Sequence, residues 1–353
     1  MPDFLPKKYE FSHGLCIYLH NELVSMVKEM ENGGYLKYTV SREPGEPEFP
    51  RDLRGEALFE WFEARGRMDV VNNLYIRSLL PALVSDFCHF VLEALNCSRK
   101  AKLTVTYALL RKPLRDSLFH LESIAADPDS FLERFHNNPS ADLSLEHSLR
   151  DDRIKQVISA AVSRVPLAQM YDADLLFTLR YDRQSSQSFA GTFDQALHLV
   201  TNYKAIQTAR QNLNFIFSDR ESHDSQWMHL YTRLPLLLAY AVDLATVLVG
   251  ALVKVPMPHL AEGMLHRQIA LGLWNDDCSY LKTGRRTAKT AQRILRASDI
   301  RCTHCGRLLG NQRGLNELYM NPVSVKVVVA RDINRLRVEG PPGVAVLGSV
   351  ARS

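Results

Sequence analysis

The sequence lacks the signatures by which several common enzyme classes are recognised. It has no GxxxxGK[ST] loop, no GxGxxG after a strand, no GxSxG elbow and no HExxH pair. Glycine is sparse, with 17 in 353 residues, and seldom interrupts an apolar run. Nucleotide hydrolysis, dinucleotide redox chemistry and zinc proteolysis are therefore unsupported.

Cysteine is also scarce. The chain has six cysteines, too few for a disulfide scaffold, and three of them fall in apolar or helical stretches. The opening MPDFLPKKYEF has no long apolar run behind its basic pair, so it does not resemble a signal peptide. These features predict a cytoplasmic protein in a reducing environment.

Strand-like alternation is nearly missing, and apolar residues recur instead at helical spacing. This pattern predicts a mainly α protein: a multi-helix bundle over residues 1–255, followed by a small basic C-terminal region over 256–353. The segment 324–332 is the best strand candidate. Helices are expected at 14–31, 68–98, 101–126, 151–164, 171–180, 191–216 and 226–253, with a short one ending at Gly66.

The segment 234–253 is almost long enough to span a bilayer. Asp243 lies in its middle, where a carboxylate would be costly in lipid, so a buried central helix and no membrane association are expected. A buried carboxylate needs a partner, and the arginines of segment 109–123 are candidates.

Charge is unevenly distributed. Residues 254–353 hold 16 basic and 7 acidic side chains, whereas residues 1–253 hold 27 and 32. A basic C-terminal region predicts an anionic partner such as RNA. The candidate RNA-binding stripe, spaced by three and four residues, is Arg286, Lys289, Arg293 and Arg296, and the alternative is a solvated helix face.

A Cys-x2-Cys pair, Cys302 and Cys305, has the spacing at which two thiolates bind one zinc ion. Cys278 is the candidate third ligand, and His266 or His259 the fourth. Such a structural zinc would anchor the basic region. A redox pair and two unligated thiols are the alternatives.

Segment 109–123, LLRKPLRDSLFHLES, combines cations with a histidine. A helix restarting at Pro113 would place Arg115 near its positive N-terminal end, where phosphate binds well. Arg111 would join the cluster, and Asp116 would cap the helix or orient an arginine. His120 could then transfer a proton.

Arg115, Asp116 and His120 form an Arg-polar-x3-His pattern within a helical bundle. This pattern resembles the HEPN superfamily, whose hallmark is Arg-x4–6-His. The resemblance implies a metal-independent endoribonuclease that acts as a homodimer, in the manner of many toxins and antiviral effectors. It also implies catalytic roles for Arg115 and His120, with Asp116 at the polar position.

A different interpretation of the same segment is a solvated helix surface. In that case Leu114, Leu118 and Leu121 would face the core, and the charged residues would face water. The protein would then be a non-catalytic helical module that dimerises and binds RNA or a protein.

Overall fold

The computed structural model describes residues 3–34, 55–137, 151–166, 171–254 and 257–278, with scattered positions at 37–53 and at 139 and 143. This part is mainly helical and contains no strand, which confirms a mainly α multi-helix bundle. The described residues belong to one compact unit. The boundary predicted near residue 255 stays a prediction.

The helices follow the apolar periodicity of the sequence closely, with two exceptions. The single helix predicted over 226–253 forms two helices separated by Thr232 and Arg233, and the segment 191–216 is described below. The helix predicted over 68–98 continues through Pro81, and the turn that precedes it uses Gly66 at φ 69°. The helices are α1 (Glu10–Asn32), α2 (Glu56–Glu63), α3 (Met68–Arg99), α4 (Leu103–Arg111), a π-helix (Lys112–Ser117), α5 (Leu118–Ala126), α6 (Pro128–Asn137), α7 (Asp151–Arg164), α8 (Ala173–Tyr181), α9 (Phe189–Leu197), α10 (Arg220–Tyr231), α11 (Leu234–Val253) and α12 (Met257–Cys278).

Helix α11 forms the centre of the bundle. It packs against α1, α3, α5, α7, α10 and α12. Most of its residues are buried, including the whole run Leu234–Ala245. It is the buried central helix that its sequence predicts. By length and composition, α3 and the α10–α11 pair could each cross a membrane, but core helices share that composition, so no conclusion follows.

The buried carboxylate of α11 is paired with α12. Asp243 Oδ1 accepts a hydrogen bond of 2.5 Å from Arg267 Nε, and its Oδ2 accepts one of 2.7 Å from the Tyr171 hydroxyl. Burial raises the pKa of Asp243, and the Arg267 charge opposes that change. The expectation that Asp243 pairs with an arginine of segment 109–123 is therefore wrong, because α12 supplies the cation.

Replacing Arg267 by methionine should destabilise the protein by about 3–5 kcal/mol, because it leaves Asp243 buried without a cation. Urea unfolding followed by circular dichroism measures this loss. Adding Asp243→Asn to Arg267→Met should recover part of it. Arg183→Met breaks a half-exposed pair with Asp194 and should cost less than about 1 kcal/mol. Equal losses for the two single variants would contradict the prediction.

Candidate functional site

The segment with the predicted catalytic residues forms one continuous helix. Helix α4, the π-helix and α5 run without a break from residue 103 to 126. The Leu118 N–H donates to the Pro113 carbonyl, five residues back, so the helix is wider after the proline and continues without a break. The helix does not restart at Pro113. Arg115 therefore lies far from a helix N-terminus, and the predicted restart of the helix is wrong, whereas phosphate binding by Arg115 stays a prediction.

The carbonyl groups of the π-helix find donors on α8. Arg180 Nη1 donates to the Leu114 carbonyl over 3.4 Å, and the Tyr181 hydroxyl donates to the Arg115 carbonyl over 2.7 Å. A π-helix changes the pairing of its backbone groups, and buried carbonyls need partners. Two consecutive residues of α8 thus stabilise the irregular turn.

A buried ion pair joins α8 to α5. Arg180 Nη2 donates to Glu122 Oε1 over 2.6 Å, and neither side chain has any exposed surface. Burial raises the pKa of Glu122, whereas the Arg180 charge and its hydrogen bond oppose that change. The pair fixes the rotation of α5 about its axis, because a buried charge without its partner would be costly.

The cations of the segment have different contacts. Arg111 Nη1 lies 3.7 Å from Asp116 Oδ2, so Asp116 pairs with Arg111 and does not cap a helix. The Arg115 guanidinium lies over the Tyr181 ring, with its carbon 5.8 Å from the ring centroid. The Arg115 Nε is buried and has no hydrogen-bond partner.

His120 faces apolar neighbours. Its ring lies 6.3 Å from the centroid of Phe119 and 6.2 Å from that of Phe131 on α6. Its Nδ1 is buried without a hydrogen-bond partner. Burial lowers the pKa of His120, and the charge of Arg134 lowers it further. The imidazole is therefore neutral at pH 7.

Within the described helices, no hydrogen bond, ion pair or ring contact joins Arg115 to His120. One side chain lies against α8 and the other against α6. Six of the remaining predicted site residues lie outside the described residues: Arg286, Lys289, Arg293, Arg296, Cys302 and Cys305. Cys278 is the last residue of α12, but its side chain also lies outside the described part. In the described part, no three His, Cys, Asp or Glu side chains cluster as metal ligands.

The helix predicted over 191–216 ends early, and this prediction is wrong for its second half. Helix α9 stops at Leu197, and a loop with one short 3-10 turn runs to α10. Gln211 and Phe215 adopt positive φ values of 56° and 62°. Such values are uncommon for residues other than glycine and break helical geometry.

Polar side chains hold this loop together. The Asn214 N–H donates to the Leu199 carbonyl over 2.9 Å, and its Nδ2 donates to the His198 carbonyl over 2.7 Å. The Thr208 N–H donates to the Thr201 carbonyl over 2.9 Å, and the Thr201 N–H donates to Thr208 Oγ1 over 2.8 Å. Threonine and asparagine side chains that bond to backbone compete with helix formation. In the sequence, Thr201, Thr208 and Asn214 are therefore the residues that indicate a loop in place of a helix.

The loop forms one wall of a pocket with a volume of about 310 Å³. The other walls come from α4, α9 and α10. The lining residues are Tyr107, Thr192, Gln195, Asn212, Leu213, Asn214, Phe215, Ser225, Gln226 and His229, and none of them carries a formal charge at neutral pH. Sequence reasoning missed this pocket because its walls combine residue 107 with three separate segments between residues 192 and 229.

His229 is the histidine that lines the pocket. Its Nδ1 lies 3.1 Å from the Tyr107 hydroxyl. Burial and, to a smaller extent, the charge of Arg233 lower the pKa of His229 to about 3, although a hydrogen bond to the Ser188 backbone opposes both effects. His229 is therefore a neutral hydrogen-bonding group and not a general base at pH 7.

Comparison with known proteins adds no relative. No protein-family model matches the chain, and neither a curated protein nor a solved structure matches it. The resemblance to the HEPN superfamily thus rests on the residues of segment 109–123 alone.

Acid should destabilise the fold through His229. The unfolded state takes up a proton near pH 6.5, whereas the folded state takes it up only near pH 3. Stability is therefore complete above pH 6.5 and falls as the pH drops toward 3. Urea unfolding should show that His229→Gln loses about 2 kcal/mol less than wild type between pH 7 and pH 5.

His13 offers a second test of the same effect. Burial lowers its pKa to about 4, and it lies 2.8 Å from the Tyr231 hydroxyl, outside the pocket. His13→Gln should also reduce the loss on acidification. Parallel stability curves for wild type and both variants would contradict the assignment of acid sensitivity to these histidines.

Proposed function

We propose that the protein is a non-catalytic helical binding module that forms a homodimer through the loop after α9. The observation that carries this proposal is an exposed apolar surface on a hydrogen-bonded loop. Ten large apolar side chains are exposed in the described part, and six of them fall in residues 197–217. We call these six the apolar surface: Leu197, Leu199, Val200, Tyr203, Ile216 and Phe217.

The backbone bonds of the loop bring two parts of this surface together. The bond from Asn214 to Leu199 places residues 199–200 beside 214–217. Val200 is 63% exposed and Phe217 68% exposed, so these side chains contact water over most of their area. Clustered apolar side chains on an ordered surface are typical of a protein contact.

A second copy of the chain is the occupant that best fits the surface. Between residues 195 and 218 the formal charges are Lys204 and Arg210 alone. A twofold contact places a surface against its own copy. Burial then stabilises the contact of an apolar surface, whereas a strongly charged surface would repel its copy. The resemblance of segment 109–123 to HEPN proteins, which commonly dimerise, agrees with this choice.

Catalysis by Arg115 and His120 receives less support from the geometry. The imidazole lies against phenylalanine rings, and the guanidinium lies on the neighbouring α8. Metal-independent cleavage needs a proton-transfer group and a cation directed at one phosphate. The ribonuclease hypothesis stays a prediction, and the RNA experiment below tests it.

RNA binding is assigned from the sequence to the basic segment 282–313. Within the described bundle, Arg111, Lys112, Arg180 and Arg267 are engaged in ion pairs. In this proposal the bundle supplies the dimer, and the basic segment contacts phosphate groups. Two copies of such a segment would increase affinity through their effective concentration.

The full-length protein should sediment as a dimer at micromolar concentration. Phe217→Ser combined with Ile216→Ser should shift it to monomer, with at least a tenfold weaker dimer Kd, because apolar contact area is lost. Analytical ultracentrifugation measures both. Phe4→Ser alters an exposed apolar side chain outside the surface and should leave the dimer intact. A monomeric wild type, or a dimer unaffected by the double change, would refute this interface.

RNA titration of the full chain should show salt-dependent binding without cleavage. Changing Arg286, Lys289, Arg293 and Arg296 to glutamine should weaken binding and flatten the dependence of affinity on salt, since each phosphate contact releases counterions. Truncation near residue 255 is unsuitable, because it removes Arg267 and leaves Asp243 unpaired. Binding that the fourfold change leaves intact would contradict the assignment to this stripe.

The same samples distinguish the binding module from a nuclease. Incubation of RNA with wild type in EDTA should leave the RNA uncut. If cleavage occurs and both Arg115→Ala and His120→Ala abolish it while the proteins stay folded, the non-catalytic proposal is wrong and the HEPN-type assignment holds.

A further inference from the structure

We infer that the pocket between α4, α9, α10 and the loop binds an uncharged nucleobase, with adenine as the base it fits best. This inference does not depend on the proposed dimer. It arises from three features of the pocket: the chemistry of its walls, two hydrogen-bonding groups that the protein leaves unused, and its size.

The walls select a neutral, planar ligand. No lysine, arginine, aspartate or glutamate lines the pocket, and burial keeps His229 neutral. A phosphate, carboxylate or amine would enter without a counter-charge, and that is costly in a partly dry site. The partly exposed ring of Phe215 supplies aromatic surface on which a base can stack, and the fully buried Tyr107 ring supports it from behind with a centroid 6.1 Å away.

Amide groups supply the hydrogen-bonding edge. Four amide side chains line the pocket, and Asn214 uses its own to hold the loop. Asn212 uses only its Oδ1, which accepts from the Leu213 N–H, so its amino group is available. The amide of asparagine or glutamine presents a donor and an acceptor side by side, which matches the adenine edge.

Gln226 provides the strongest indication of a missing partner. Its Nε2 makes one long bond of 3.4 Å to Ser218 Oγ, and its Oε1 is buried without any hydrogen bond. A buried carbonyl oxygen normally has a partner, and an unsatisfied one is destabilising. A ligand amino group that reached this oxygen after a small rotation of the amide would relieve that cost.

The size of the pocket fits a ligand of about one nucleoside. Its volume of about 310 Å³ lies at the lower end of small-molecule sites, which run from about 300 to 1,000 Å³. One heterocycle with an attached sugar is of that size, whereas a folded polymer is not. The base can come from a free nucleoside or from a single unpaired nucleotide of RNA.

Isothermal titration of the full-length dimer or monomer with adenosine tests the inference. Saturable binding in the micromolar to millimolar range is expected, with weaker binding of guanosine and no gain for adenosine 5′-monophosphate. Gln226→Met and Asn212→Leu should each weaken adenosine binding at least tenfold. Gln226→Met should leave the urea unfolding midpoint unchanged or higher, since it removes an unsatisfied buried oxygen. Gln184→Ala, an exposed amide outside the pocket, is the control and should bind as wild type does.

A second titration separates the two sources of the base. A short oligoadenylate that adenosine displaces occupies this pocket, whereas one that adenosine does not displace binds elsewhere, and free nucleoside is then the ligand. The inference is overturned if no nucleoside binds at millimolar concentration. It is also overturned if adenosine binding survives both pocket variants, or if the monophosphate binds better because of its charge.

Discussion

The buried pair between Arg180 and Glu122 is the contact on which the arrangement of the central helices depends. It joins α8 to α5 where neither side chain meets water, and the same guanidinium donates to a carbonyl of the π-helix. The two bonds that cross between the helices, to Glu122 and to the Leu114 carbonyl, limit sliding of α8, while a third bond within α8, to the Leu176 carbonyl, orients the Arg180 side chain. A buried charge without its partner would lower the free energy of unfolding by about 3–5 kcal/mol, so alternative packings of α5 are disfavoured.

The pair between Arg180 and Glu122 also determines where the two predicted catalytic side chains, Arg115 and His120, lie. With α5 held by Glu122, Arg115 meets Tyr181 on one flank and His120 meets Phe131 on another. A regular α-helix and a helix with a π-turn direct the same sequence toward different neighbours. The five-residue spacing of arginine and histidine is therefore compatible with separate environments, and spacing alone does not define a catalytic pair.

The sequence predicts the helices well because each follows an apolar period that the bundle buries. It predicts that Asp243 needs a partner, yet not that Arg267 provides it, since pairing between helices leaves no local pattern. The π-helix is not predictable from the local sequence either. Pro113 indicates an irregular helix, but the form of the irregular turn depends on hydrogen-bond donors from residues 180 and 181. The loop after α9 was missed because its apolar residues imitate helical spacing, whereas Thr201, Thr208 and Asn214 fix another conformation.

The loop after α9 contains features that lower its local stability. Gln211 and Phe215 hold left-handed conformations that cost roughly 1 kcal/mol or more each, and nearby Gln226 keeps a buried oxygen unsatisfied. A segment needed only to connect α9 to α10 could avoid these costs with a shorter, more polar sequence. Strain of this kind persists where the surrounding structure enforces it, and it clusters at binding sites. The hydrogen bonds of the loop order its backbone before any partner arrives, which reduces the entropy lost on binding. The same bonds direct Phe217 to solvent and Phe215 to the pocket, so one loop presents two surfaces of different chemistry.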